Sequence, residues 1–290
     1  MEGKNTSFAS NGKRILSCAG KEFSLEQPLI MGILNLTPDS FFDGGKYQRE
    51  RDLLNRVNIL LDEGADIIDM GGMSTRPGAQ MISGQEELSR LLQPLRTIKR
   101  HFPGAVISVD TFRSEVAKAC VGEGADMIND ISGGTMDDLM FETIVSLNVP
   151  YVLMHIQGTP QTMQQKPIEK DVVDSVKSFF VKRVALLKQM GFDNIILDPG
   201  FGFGKSLDCN YRLLKELERL RVDDLPILVG ISRKSMINRV LNTLPQQALN
   251  GTTVLNVLAI EQGADLLRVH DVKEAKETIK LYDMFKKSSC

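Results

Sequence analysis

The chain carries no basic excess: 35 lysines and arginines stand against 37 acidic residues, a formal net charge of −2. With so little to grip a phosphate backbone, nucleic acid is not expected as a partner. C-x-x-C pairs are also missing. Cys18, Cys120, Cys209 and Cys290 are scattered far apart, which argues for reduced thiols and against a zinc site or a disulfide framework. No stretch approaches the roughly 18 apolar residues that mark a membrane span. The first residues, Met1 to Arg14, lack the apolar core of a signal peptide. A soluble cytoplasmic protein that handles something small, with no membrane partner, is therefore expected. Low-complexity segments and linkers are absent too, so residues 14–290 should form one domain behind a flexible tail, residues 1–13.

What is present is alternation. Eight short apolar runs each close on a polar residue or glycine. They are Leu29–Leu34 before Asn35, Ile67–Ile68 before Asp69, Val106–Val109 before Asp110 and Met127–Ile128 before Asn129. Tyr151–Met154 before His155, Ile195–Leu197 before Asp198, Ile227–Val229 before Gly230 and Leu266–Val269 before His270 complete the set. Helical patterns lie between most of them, the signature of buried parallel strands linked by helices. Leu53, Leu54, Val57, Leu60 and Leu61 form one apolar helix face, and Gly64 stands where a C-terminal cap belongs. Ser83 and Glu86 have capping-box spacing before a helix that should be kinked or broken at Pro94. A longer helical pattern runs from Asp171 to Met190 and stops at Gly191.

A weak repeat supports the same reading. Gly64-Ala65-Asp66, Gly124-Ala125-Asp126 and Gly263-Ala264-Asp265 each precede a strand, and Gly191-Phe192-Asp193 nearly does. Glycine ends a helix in a left-handed conformation and the chain turns into the next strand. Eight such units fit an α/β fold of the (β/α)8 barrel type better than a doubly wound sheet. A hairpin within Arg14–Leu25, turning around Ala19-Gly20-Lys21, is expected to close the barrel bottom.

Barrel enzymes place their chemistry at the C-terminal ends of the strands. Asn35, Asp69, Asp110, Asn129, His155, Asp198 and His270 should thus converge on one mouth, although each alone is an ordinary cap or turn residue. Arg268 and His270, two apart on a strand, face the same way and suggest an anion. The segments Asn35–Gly45 and Gly71–Gly78 combine glycine, hydroxyls and charge, as active-site loops do. Asp198-Pro199-Gly200-Phe201-Gly202-Phe203-Gly204-Lys205 contains G-x-G-x-G, but its context is not that of a dinucleotide fingerprint.

Taken together, these segments resemble the dihydropteroate synthase family, pterin-binding (β/α)8 enzymes of folate biosynthesis. The likeness runs from Met31-Gly32-Ile33-Leu34-Asn35 to Arg268-Val269-His270-Asp271-Val272, about five-sixths of the chain. It includes Ser108-Val109-Asp110-Thr111, Asn129-Asp130-Ile131, Leu153-Met154-His155, the Asp198–Lys205 run and Gly230-Ile231-Ser232-Arg233-Lys234-Ser235. One departure is Met73, where the family's second loop usually carries glutamate.

The resemblance implies that the amine of p-aminobenzoate displaces pyrophosphate from 6-hydroxymethyl-7,8-dihydropterin pyrophosphate. By the same resemblance Asp110, Asn129, Asp198 and Lys234 read the pterin, over an apolar floor of Met154 and Ile131. Asn35, Thr75, Arg76, Arg268 and His270 hold the pyrophosphate, with Arg268 as a planar fork and Asn35 as a magnesium ligand. Phe41, Thr75, Pro77, Phe203 and Ser235 form the p-aminobenzoate slot. Lys234, Arg268, His270 and Asp110 are the expected catalytic groups, with Asp198 and Lys234 offsetting each other. For His155 structural hydrogen bonding is expected. A homodimer through late barrel helices is the family expectation. Two rivals are a methyltetrahydrofolate-dependent methyltransferase on the same barrel and a non-catalytic pterin-binding paralogue. Both leave the joint presence of Arg268, His270 and Lys234 unexplained.

Overall fold

The computed structural model describes residues 9–10, 13–36, 46–74 and 78–288. Two short antiparallel pairings come first. Strand β1 (Ala9–Ser10) pairs with β2 (Lys13–Cys18), and β2 with β3 (Lys21–Ser24). The β2–β3 turn is Ala19-Gly20, both with positive φ (55° and 70°). That combination is the tight turn whose twist matches a hairpin. Most of the tail expected over residues 1–13 lies outside the described residues; β1 and the first residue of β2 fall within it.

Eight parallel strands follow: β4 (Leu29–Asn35), β5 (Ile67–Gly71), β6 (Ile107–Asp110), β7 (Met127–Asp130), β8 (Tyr151–Met154), β9 (Ile195–Asp198), β10 (Leu228–Val229) and β11 (Leu266–Val269). They are ordered β10-β11-β4-β5-β6-β7-β8-β9, and a bridge between Leu197 and Ile227 joins the two ends into a barrel. Nine α-helices are described. They are α1 (Lys46–Asp62), α2 (Gly84–His101), α3 (Ser114–Gly122), α4 (Met140–Leu147), α5 (Val172–Gln189), α6 (Leu207–Lys215), α7 (Ser235–Leu241), α8 (Leu249–Glu261) and α9 (Val272–Lys287).

Period-two alternation along each strand sorts side chains into two cores. Outward residues such as Ile30, Ile68, Val109, Ile128, Leu153 and Leu267 pack against the helices. Inward residues Met31, Ile67, Met127, Val152, Ile196, Leu228 and Leu266 fill the barrel floor, sealed from below by Leu16, Cys18 and Leu25 of the hairpin. The hairpin therefore closes the bottom as the sequence predicts.

The Gly-Ala-Asp repeats turn as expected, with Gly64, Gly124 and Gly263 at φ of 98°, 100° and 86°. Their aspartates add a feature that the glycine argument did not contain. Each donates its backbone N–H to a strand carbonyl and accepts that residue's N–H on its carboxylate. Asp66 clamps Ile30 (2.9 and 2.8 Å), Asp126 clamps Ile107 (2.8 and 2.8 Å) and Asp265 clamps Ile227 (2.8 and 2.8 Å).

Pro94 does not break the helix, one of the two outcomes expected of it: α2 runs unbroken from Gly84 to His101. Proline removes a single backbone bond there. Burial of Leu91, Leu95 and Ile98 around it, the Ser83 cap on Glu86 N (3.1 Å) and basic residues in the last turn hold the helix together.

Candidate active site

Counting two residues on from each floor residue reaches the next inward position: Asp69 from Ile67, Asn129 from Met127, Met154 from Val152, Asp198 from Ile196, Gly230 from Leu228 and Arg268 from Leu266. An apolar floor thus carries a polar layer. Above it opens a cleft lined by Asp110, Asn129, Ile131, Met154, Asp198, Phe203, Gly230, Lys234 and Arg268. All six residues expected to contact a pterin are in that set. Gly230 lines the cleft without a side chain; a Cβ there would make ordinary contact, 3.8 Å from both the Arg268 Cβ and the Lys234 Nζ.

Burial and charge dominate its chemistry. The Arg268 Nε donates to Asp69 Oδ2 (2.7 Å) and its Nη2 to Asp110 Oδ2 (2.9 Å). The fork expected to face pyrophosphate is thus spent on two carboxylates, leaving Nη1 as the end of the guanidinium for an anion. Asn129 Nδ2 donates to the same Asp69 oxygen (3.0 Å), while Asn129 Oδ1 is buried without a partner. Burial pushes Asp110 up to about 7 against the pull of Arg268, with Asp69 adding to the rise. Asp198 is also raised by burial; its Oδ1 accepts the Gly200 N–H (2.7 Å). Burial lowers Lys234 to about 8 although Asp198 opposes the shift. Its ammonium donates to Phe201 O (2.6 Å) and lies 4.7 Å from the centre of the Phe203 ring. The expected Asp198–Lys234 offset is therefore an interaction of charges, with the direct hydrogen bond going to the loop.

That loop has its own cation. Lys205, only 4% exposed, donates to the carbonyls of Gly200 (2.8 Å), Phe203 (3.0 Å) and His155 (3.2 Å). Burial lowers it to about 7. Gly200 has φ of 66°, and a Cβ on it would meet His155 O at 2.0 Å, so only glycine fits. Lys205 ends the Asp198–Lys205 run that carries the family resemblance, but no role was read for it. Asp69 had a signal, being two residues beyond Ile67, but was given no role.

Other expected residues are distributed as follows. His270, inward on the residue after β11, has its Nδ1 3.0 Å from Ser232 Oγ. Asn35 ends β4 on the inward face and is exposed. Ser235 begins α7 and is exposed, beside a polar cleft shared with Gln164, Gly202 and Arg239. Phe41, Thr75, Arg76 and Pro77 lie outside the described residues. The side chain of His155 departs from expectation: its Nδ1 is buried with no partner and its ring packs edge-on against Phe179. Only its backbone makes hydrogen bonds, and burial pushes its pKa down to about 2. Met73 is buried against the apolar mouth with Phe112, Ile131 and Met154, a setting that suits a thioether and would leave a carboxylate in need of a cation.

Magnesium can be tested against these donors. Among the described residues, no cluster of three acidic, histidine or cysteine side chains could cage a metal. The exposed amide oxygen of Asn35 fits an ion that keeps its waters and shares its remaining positions with a substrate phosphate.

A (β/α)8 barrel whose mouth gathers buried carboxylates, an amide acceptor and two cations is the architecture of a small-molecule enzyme. Residues 31–270 match the family model described as "Pterin binding enzyme", and the chain belongs to that family. It is 43% identical over 270 residues to the dihydropteroate synthase of Escherichia coli K12, covering 92% of this chain and 95% of that protein. Among solved structures it resembles the Yersinia pestis dihydropteroate synthase with a sulfonamide drug (TM-score 0.88, 39% identity, 94% and 100% coverage). A second likeness is the Xanthomonas albilineans enzyme with 4-aminobenzoic acid (TM-score 0.87, 38% identity, 95% and 99% coverage).

Proposed function

We propose that the chain is a dihydropteroate-forming transferase. It joins 6-hydroxymethyl-7,8-dihydropterin pyrophosphate to p-aminobenzoate and releases pyrophosphate. The observation that carries this is the hydrogen-bond polarity of the cleft. Asp110, Asp198 and Asn129 line one slot, two of them carboxyl groups and the third with a buried, unpartnered Oδ1, and the edge of a 2-amino-4-oxopterin is rich in N–H donors. Lys234 supplies the complementary donor for a ring carbonyl or ring nitrogen. Met154 and Ile131 form the floor under the ring.

In this reading Arg268 Nη1 and His270 face the departing pyrophosphate, together with Asn35, Thr75 and Arg76. Magnesium at Asn35 would supply positive charge to the leaving group. The protein's own work is to bind, orient and stabilise charge: the barrel fixes the ring, and the cations at the rim favour negative charge on the departing oxygens. A neutral aniline nitrogen needs no general base to form its bond to the methylene as the C–O bond to pyrophosphate breaks; the resulting anilinium, a strong acid, then gives its proton to pyrophosphate or water. Phe203 and the Lys234 stem wall the p-aminobenzoate slot, with Phe41 and Pro77, and Ser235 meets the carboxylate. Sulfonamides should compete for the same slot.

The chain is also proposed to be cytoplasmic and dimeric. Among the described residues no helix is long and apolar enough to cross a membrane, and Cys18, Cys120 and Cys209 are free. Val254 and Leu258 on α8 and Leu281, Met284 and Phe285 on α9 are exposed at helical spacing, an apolar face suited to a second copy.

A coupled assay of pyrophosphate release with and without p-aminobenzoate tests the activity. Release should require p-aminobenzoate, depend on magnesium and yield dihydropteroate. Methyl transfer from methyltetrahydrofolate, or no turnover at all, would replace this reading with one of its rivals.

A further inference from the structure

We infer that Asp69 is a positioning residue for the pterin slot: by holding Asn129 and Arg268 on one oxygen, it dictates which end of the Asn129 amide a substrate meets. The inference rests on the proposed activity and names a residue beneath the slot rather than in it.

Asp69 is fully buried on the inward face of β5, one layer above the apolar floor. It is not among the residues lining the cleft. Its Oδ2 nevertheless accepts from two that are, Asn129 Nδ2 at 3.0 Å and Arg268 Nε at 2.7 Å. A side-chain amide is nearly symmetric in shape but not in chemistry: one end donates, the other accepts. A carboxylate held by a guanidinium only accepts, so the NH2 end of Asn129 must point down at it. The carbonyl end then points the other way, and Asn129 Oδ1 is left buried without a partner. A buried acceptor in that state calls for a donor.

Without the Asp69 acceptor, nothing would fix that orientation. The amide could turn over with little change in shape and present N–H groups to a substrate edge that is itself made of donors. Arg268 would lose one of its two anchors, since Asp110 holds only Nη2. Asp69 thus sets the sign of the hydrogen bond at one wall of the slot and the direction of the guanidinium at another. Because it acts through Asn129, deleting Asn129 should remove much of what Asp69 contributes.

Steady-state constants for both substrates, measured with magnesium in the full chain, test this. The proteins are the wild type, Asp69→Asn, Asp69→Leu, Asn129→Ala and the two double variants. Asparagine keeps an acceptor oxygen for both N–H groups; leucine has none. Asp69→Leu should raise the pterin KM by about 100-fold and Asp69→Asn by less than about 10-fold, the difference between losing a charge-assisted acceptor and weakening it. The p-aminobenzoate KM at saturating pterin should stay within about two-fold. Asn129→Ala should be costly in the wild type and add less than about three-fold in the Asp69→Leu background. Equal cost in both backgrounds, or parallel rises in both KM values, would reduce Asp69 to a support of the barrel. If Asp69→Leu does not fold, the Asp69→Asn background decides: Asn129→Ala should keep its wild-type cost there, and a vanished cost overturns the assignment. An inactive wild type in the same assay would instead remove the proposed activity itself.

Discussion

Lys234 and Asp110 share the cleft, and burial moves them toward each other on the pH scale. The lysine is lowered to about 8 and the carboxyl raised to about 7. Lys234 is a cation below 8 and neutral above it; Asp110 becomes a full acceptor only above 7. Pterin binding that uses both should strengthen as pH rises through 7 and weaken as it passes 8. A kcat/KM profile for the pterin pyrophosphate between pH 6 and 9 is therefore expected to rise as Asp110 ionises and fall as Lys234 loses its proton, and a flat profile would show that neither group matters to binding. Asp198→Asn should weaken pterin binding by about 3 kcal/mol, near the low end of the cost of breaking a buried pair. Calorimetric titration measures this, and unchanged affinity would remove Asp198 from the site. Asp110, Asn129, Met154 and Asp198 were legible as mouth residues because each ends or directly follows an apolar run, where alternation fixes the face, whereas Lys234 and Ile131 lie beyond the runs and were reached through the family resemblance. Asp69 closes a run as well, but a residue that acts through others leaves no mark of its role. The role of Lys205 could not be read because its partners are three backbone carbonyls, which no residue type announces.

The barrel was readable at the level of elements because its strands are apolar and its turns carry glycine. The strand starts were placed within one residue, whereas polar ends such as Asp69-Met70-Gly71 continue β5 beyond the apolar run. Pro94 does not break its helix because local propensity weighs less than three buried neighbours on the same face. The Gly-Ala-Asp repeat was half understood. Its glycine explains the turn, but the aspartate clamps one strand to the next, a pairing between segments far apart in sequence. Asp126→Ala should destabilise the fold by about 1–3 kcal/mol, because it strips an acceptor from the Ile107 N–H and from Lys99. Asp265→Ala should cost at least as much, because Arg14 and Arg221 also lean on that carboxylate. Urea denaturation of both variants checks the order; stability equal to wild type would mean that water replaces the clamp.

At the scale of the molecule, α8 and α9 leave apolar side chains uncovered, with Leu281 74% and Phe285 72% exposed. Leu281→Lys with Phe285→Lys should yield a folded monomer by sedimentation, while a wild type that sediments as a monomer would leave that face without its proposed occupant.

The buried mouth has a further consequence. Three carboxylates, Asp69, Asp110 and Asp198, lie among three cations, Arg268, Lys234 and Lys205, so the charges cancel when all are ionised. The whole chain is itself slightly acidic, at −2, and both proposed substrates are anions. With charges so balanced among these described residues, encounter is expected to be governed by diffusion and fit rather than by long-range attraction. Proteins that steer their ligands lose rate steeply as salt screens the attraction. Here the second-order rate constant should change little between low and physiological ionic strength at fixed magnesium, and selectivity should arise at contact.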